Sequence, residues 1–226
     1  MKTGEMATYF DRKAADWDAS EQRKAMAADI VRAVEREWPI DSVPRLLDYG
    51  AGTGLCSLAL APRCASVLAM DVSSEMLSCV EKKAAAAGMI HLKTLQHDLC
   101  SSPLERLRFD VILCAMTLHH IEDVDLLLAR FQSMLLAGGF LVIADLEKED
   151  GTFHDDPTGV HHTGFVRDCL TQKLMKAGFS FVTMDTVHRI RKIRDAVTKE
   201  YPVFCAVGRT RATGFNMAQA PLISAR

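Results

Sequence analysis

The sequence predicts an α/β fold: a Rossmann-like, doubly wound sheet, mostly parallel, with a C-terminal antiparallel hairpin. Three observations predict it. Hydrophobic periodicity switches repeatedly between two and 3.6 residues as far as Asp145. A glycine cluster, Gly50-Ala51-Gly52-Thr53-Gly54, follows directly on a short apolar run. Beyond Gly151 the alternation lapses, and two strand-like stretches occur with no helix between them. Strands separated by helices pair parallel through right-handed crossovers, whereas two strands without a crossover must pair antiparallel.

The elements follow in order. Ala27, Ile30, Val31, Val34 and Trp38 share one helical face, and Pro39 is expected to stop that helix. Arg45 to Tyr49 reads as a short buried strand running into the glycines. Ser66 to Asp71 is a second strand, and Ser73-Ser74 reads as the N-cap of a helix through Ala87, closed by Gly88. Ile90 to Gln96 alternates as a third strand, and Phe109 to Ala115 is a continuous apolar fourth. Val124, Leu127, Leu128, Phe131 and Leu135 form another helical face, ended by Gly138-Gly139, and Phe140 to Ala144 is a fifth strand. A helix from about Gly164 to Ala177 precedes the hairpin, Phe179 to Ile193 with Pro202 to Gly208. Residues 210–226 show no period and read as a loosely held tail.

Composition excludes several function classes. The 226 residues are 49% hydrophobic and 25% charged, enough apolar material for a full core. A net charge of −2 provides no overall cationic field for nucleic acid or anionic membranes. No apolar run approaches the ~18 residues of a spanning helix, and the first residues carry no secretory signal pattern. Seven cysteines, an odd number without a Cys-x-x-Cys pair, suggest neither a disulfide framework nor zinc; a reducing, cytoplasmic location is expected.

The sharpest motif is Leu46-Leu47-Asp48-Tyr49-Gly50-Ala51-Gly52-Thr53-Gly54, at the strand end where open α/β sheets bind ligands. Asp71 closes the second strand 21 residues after Gly50, an offset suited to holding ribose hydroxyls. The glycine spacing differs from the Gly-x-Gly-x-x-Gly dinucleotide fingerprint, and a carboxylate at Asp48 would repel a diphosphate. S-adenosylmethionine has no phosphate and carries two cations, an α-ammonium and a sulfonium, so an acid at Asp48 suits it. No Gly-Lys-Ser or Gly-Lys-Thr is present to make a P-loop.

With these motifs the chain resembles the class I S-adenosylmethionine-dependent methyltransferases, particularly the small-molecule branch of ubiquinone and menaquinone biosynthesis. The resemblance runs over residues 9–209. It rests on the glycine motif, Leu68 to Ser73, Gln96-His97-Asp98-Leu99, Phe109 to Met116 with Leu118-His119-His120, and Gly138 to Asp145. It implies one methyltransferase domain over 1–209: an N-terminal lid (1–38), a cofactor-binding core (45–145), and an acceptor-side helix and hairpin (151–209), followed by the tail. It also implies a cofactor site of Asp48, Tyr49, Gly50, Ala51, Gly52, Asp71, Val72, Met76, Asp98, Leu99, Cys114, Ala115 and Met116. Met76 has core packing as its alternative, and Asp98 has a turn cap.

Two histidine pairs, His119-His120 and His161-His162, fall in loops at the ligand-binding edge. His119 and His162 are the candidate catalytic residues, because imidazole can accept a proton near neutral pH. Capping or backbone bonding is the alternative for each. No metal is expected. Tyr9, Phe10 and Trp17 read either as a lid or as a docking helix. Arg189, Arg191, Lys192 and Arg194 alternate along a predicted strand and read as a solvated face. The expected acceptor is a small organic molecule, with no nucleic acid partner and no membrane insertion. The alternatives are a non-catalytic methyltransferase-fold module acting through a protein partner, and a nicotinamide oxidoreductase.

Overall fold

In the computed structural model, which describes residues 3–38 and 42–211, one seven-stranded sheet forms the spine. Its strands are β1 (Arg45–Tyr49), β2 (Ser66–Asp71), β3 (Leu92–Gln96), β4 (Phe109–Ala115), β5 (Leu135–Leu146), β6 (Ser180–Arg194) and β7 (Val197–Arg209). The spatial order is β3-β2-β1-β4-β5-β7-β6, with β1 to β5 parallel and β7 antiparallel to both of its neighbours. The order reverses at β1, so the crevice beyond the C-terminal ends of β1 and β4 is the natural ligand position.

The helices are α1 (Thr3–Asp11), α2 (Glu21–Glu37), α3 (Leu55–Leu60), α4 (Ser74–Ala86), α5 (Val124–Met134) and α6 (Arg167–Lys176). They cover both faces of the sheet. Ile30, Val31 and Val34 of α2 join Leu46, Val111 and Val142 in one core cluster. Leu127, Leu128 and Phe131 of α5 join Leu47, Ile112 and Ile143 in the other. Adjacent strand residues point to opposite faces, so the continuous apolar runs of β1, β4 and β5 are what a sheet covered on both sides requires.

Local chemistry explains most boundaries. Ser73 Oγ accepts from Met76 N at 3.1 Å and caps α4, which ends ahead of Gly88 in the left-handed region. Asp123 caps α5 through Leu126 N at 2.9 Å.

Some expectations shift. Leu135 opens β5 and does not extend α5: the helix stops at Met134, and Leu135 pairs with Phe109 before the register breaks and resumes at Val111 with Phe140. Ile90 is 84% exposed in the turn before β3. The hairpin turns at Asp195 and Ala196, both with positive φ, so the first arm is shifted by one residue from Phe179 to Ile193 and the second is longer than Pro202 to Gly208, starting already at Val197. Pro39 and residues 212–226 lie outside the described residues. Thr210, the first residue of the expected tail, is tied down: its hydroxyl donates to Leu136 O at 2.7 Å.

Candidate active site

A cavity of about 660 Å³ opens where β1, β2 and β4 end, within the range typical of small-molecule sites. Its floor is the glycine loop. Gly50, Gly52 and Gly54 all have positive φ, and a Cβ on Gly50 would sit 2.1 Å from Thr117 Oγ1, so the loop and the end of β4 can meet only through glycine. Asp71 braces the loop, accepting from Gly52 N at 2.8 Å and from Ser73 N at 2.9 Å. Met116, just past β4, has φ 51°, and its N–H donates to Ala144 O at 2.7 Å. That strained conformation sits at the cavity wall, as strain at ligand sites commonly does.

Asp48 lies beneath the loop and is 2% exposed. Ser57 Oγ donates to it at 2.5 Å. Burial pushes its carboxyl up to about 6; the Ser57 hydrogen bond opposes this, and the charge of Asp71 adds to it. Asp71 is likewise raised, chiefly by burial. Asp98 accepts from Cys100 N at 2.8 Å and Ser101 Oγ at 2.6 Å, and Tyr49 OH approaches it at 3.4 Å.

On the opposite wall, His119 Nδ1 lies 2.7 Å from Asp145 Oδ1. Asp145 is fully buried and also accepts from His119 N at 3.1 Å and Leu146 N at 2.7 Å. Burial alone would raise its pKa, but the His119 ring and these hydrogen bonds hold it below the usual carboxylate range. A carboxylate only accepts, so Nδ1 carries a proton donated to Asp145, and Nε2 is the ring nitrogen left for another partner on a ring that lines the cavity. His120 and His154 stack beside it, with centroids 4.1 and 4.9 Å away. Burial, aided by the neighbouring His119, pushes His120 down to about 3 and His154 down to about 4.

The N-terminal segment roofs the cavity. Tyr9, Phe10 and Trp17 line it. Asp18 bonds Thr53 Oγ1 at 2.5 Å and Lys83 Nζ at 2.6 Å, and Asp11 accepts from Ser73 Oγ at 2.6 Å. The roof is therefore fastened both to the glycine loop and to the N-terminus of α4.

Of the residues expected from sequence, Asp48, Tyr49, Gly50, Ala51, Gly52, Asp71, Val72, Met76, Asp98, Ala115, Met116 and His119 all line this cavity. Three expectations need correction. Leu99 and Cys114 are fully enclosed in the apolar core and do not line the cavity. His162 turns away: its Nε2 bonds Ile121 O at 2.9 Å and its ring packs on Phe165, so it holds the loop, while His161 lines the cavity. The basic strand is also not a uniformly solvated face. Arg189 and Arg191 point outward, but Lys192 lines the cavity and Arg194 bonds Thr152 O and Phe153 O. Sequence reasoning missed Asp145 as the His119 anchor, although an acid ending an apolar strand is the signal that had marked Asp48 and Asp71. It also missed Arg23.

Residues 47–143 match a family described as a methyltransferase domain. This stretch of the chain is therefore similar to a methyltransferase domain. It is 30% identical over 152 residues to an uncharacterized methyltransferase of Schizosaccharomyces pombe, an alignment covering 60% of this chain and 53% of that protein. It is also 30% identical over 111 residues to a ubiquinone biosynthesis O-methyltransferase of Brucella anthropi, covering 49% and 44%. The chain thus spans about half the length of these curated relatives. Among solved structures, DhpI in complex with S-adenosylhomocysteine matches with TM-score 0.68 at 21% identity, over 93% of this chain and 97% of that one. Phosphoethanolamine N-methyltransferase 2 of Haemonchus contortus matches with TM-score 0.67 at 15% identity, over 81% and 52%. These likenesses concern the fold. Among the described residues, no helix is long and apolar enough to cross a membrane.

Proposed function

We propose that the chain is an enzyme that transfers a methyl group from S-adenosylmethionine to a small organic acceptor. The carrying observation is the buried Asp48 under the glycine loop, with Asp71 and Asp98 beside it on the same cavity. This acidic end suits a ligand bearing an ammonium and a sulfonium and disfavours a diphosphate. When bound, the donor supplies a methyl on a cationic sulfur that departs as a neutral thioether. Asp71 would hold ribose hydroxyls, Asp98 and Met76 the adenine, and Asp48, through the loop, the amino-acid portion.

The remaining task is alignment and proton removal. Positioning two reactants contributes about 7–11 kcal/mol to such a displacement. The roof of Tyr9, Phe10 and Trp17 excludes water from the reacting groups. As the acceptor atom bonds to the methyl carbon it sheds a proton, which His119 Nε2 takes, with Asp145 holding the ring in the accepting tautomer.

The test is parallel titration with S-adenosylmethionine, S-adenosylhomocysteine and NADH, followed by thermal midpoint and calorimetry. A ligand at 100 times its Kd adds about 2.7 kcal/mol to stability. Stabilisation by the first two alone, then label transfer from methyl-labelled donor to a panel of phenols, amines and carboxylic acids, is the expected result. Binding of NADH alone, or of none, overturns the reading.

A further inference from the structure

The cavity is electrically lopsided. Asp48, Asp71, Asp98, Glu122 and Asp123 lie toward the ends of β1 to β4, whereas Arg23, Lys192 and His154 line the other end together with Asp155 and Asp156. The basic groups there are not consumed by internal ion pairs. Arg23 stacks on the Trp17 ring at 4.1 Å and donates to Trp17 O at 3.1 Å. Lys192 sits over the Phe153 ring at 4.1 Å and donates to Phe153 O at 2.6 Å. Both acids there have partners: Asp155 is paired with Arg194, and Asp156 accepts from Thr158 N at 3.0 Å. His154 Nε2 is buried with no hydrogen-bond partner, a costly state unless something else supplies one.

Two like charges held on aromatic faces at one end of a cavity repel each other. Lys192 is pushed below the usual ammonium range chiefly by burial; Asp155 opposes this, and the charges of Arg194 and Arg23 add to it. An anion between them would relieve that repulsion and satisfy His154. Met26, Ile30 and Ile190 add apolar lining to the cavity, and His154 stands beside His119 with ring centroids 4.9 Å apart.

The geometry points to an acceptor that is an amphipathic anion: an apolar, preferably planar body between Trp17 and Phe153, with a carboxylate or phosphate gripped by Arg23, Lys192 and His154 and the methylated atom toward His119. This inference rests on the methyltransferase reading, which assigns the acidic end to the donor.

The test uses the full chain saturated with S-adenosylhomocysteine and three probes of matched bulk: 2-naphthoate, 1-naphthyl phosphate and neutral 2-naphthamide. Calorimetry should show at least one anionic probe binding tenfold or more tightly than the amide, and the better one identifies the anion. Lys192→Met and Arg23→Gln should each abolish the preference while leaving amide binding and S-adenosylhomocysteine binding within about threefold. Equal binding of acid and amide, a preference that survives both substitutions, or no binding of any probe to the loaded protein overturns the inference and leaves the methyltransferase reading standing. Failure of S-adenosylhomocysteine to bind, with the anion preference intact, overturns the methyltransferase reading and leaves the anion site.

Discussion

Asp48→Asn should stabilise the ligand-free protein and at the same time weaken its grip on the donor. Asparagine preserves the shape and can still accept the 2.5 Å hydrogen bond from Ser57. What it removes is a carboxylate whose pKa burial has raised to about 6. Against an unfolded value of about 3.9, that is roughly two pKa units at ~1.36 kcal/mol each, or about 3 kcal/mol of destabilisation above pH 6. The sign follows from proton counting. Between about pH 4 and pH 6 the native state holds a proton that the unfolded chain releases, so Asp48 costs stability as pH rises through that window. His120 and His154 act oppositely. Their folded values, about 3 and about 4, lie below the unfolded ~6.5, so acidification below that point favours the unfolded chain. These contributions are common to both proteins and cancel in the difference. Urea unfolding from about pH 4 to about pH 8 should therefore show the variant ahead by up to about 3 kcal/mol at neutral pH, with the gap closing toward pH 4. Calorimetry at neutral pH should show S-adenosylhomocysteine bound at least about tenfold more weakly, since the negative charge beneath the loop that favours the ligand's ammonium is lost. A variant less stable than wild type at neutral pH, or a gap that does not change with pH, would refute the reasoning.

Asp145→Asn should leave donor affinity within a few-fold but lower the methyl-transfer rate by about 10²–10⁴, because an amide can donate to Nδ1 and move the His119 proton to Nε2. Steady-state rates compared with wild type across pH check it; an unchanged rate profile removes His119 as base. His162→Ala should cost about 1–2 kcal/mol in urea unfolding by orphaning Ile121 O, with donor affinity unaffected. Gly50→Ala places a Cβ within 2.1–2.7 Å of Thr117 at a φ of +72°, and its urea midpoint should fall by more than that of Gly88→Ala, where a Cβ meets nothing within 4 Å. Asp18→Ala cuts the links to Thr53 and Lys83. Amides before Ser20 should then exchange hydrogen faster, while those of β1 and β4 keep their protection.

The sheet and the acidic end of the cavity were legible because each rests on local pattern. Continuous apolar runs gave β1, β4 and β5, and acids ending apolar strands gave Asp48 and Asp71. What escaped depended on tertiary partners. The stretch Val124 to Leu135 has helical spacing throughout, yet Leu135 is claimed by pairing with Phe109, which no periodicity encodes. His161 and His162 are adjacent and chemically identical, so only the path of the loop decides which one meets the cavity. Alternation in Arg189 to Arg194 marked a strand correctly, but strand alternation has two faces. That the inner face of β6 carries Lys192 toward a ligand cavity became apparent only once α2 and the loop holding Phe153 were in position.

The placement of β7 bears on how the chain is made. Among the described residues it is the last strand in sequence, yet it lies between β5 and β6 and contributes Tyr201, Val203 and Phe204 to the buried interior. While the ribosome is still adding residues before Val197, β5 has an open edge and β6 has no route into the sheet. Nascent forms that already contain β5 but stop short of about residue 209 therefore present an unpaired, apolar strand edge, the feature that invites pairing with other chains. Chaperone occupancy on the emerging polypeptide should peak over this interval and fall once Arg209 has been synthesised and cleared the exit tunnel.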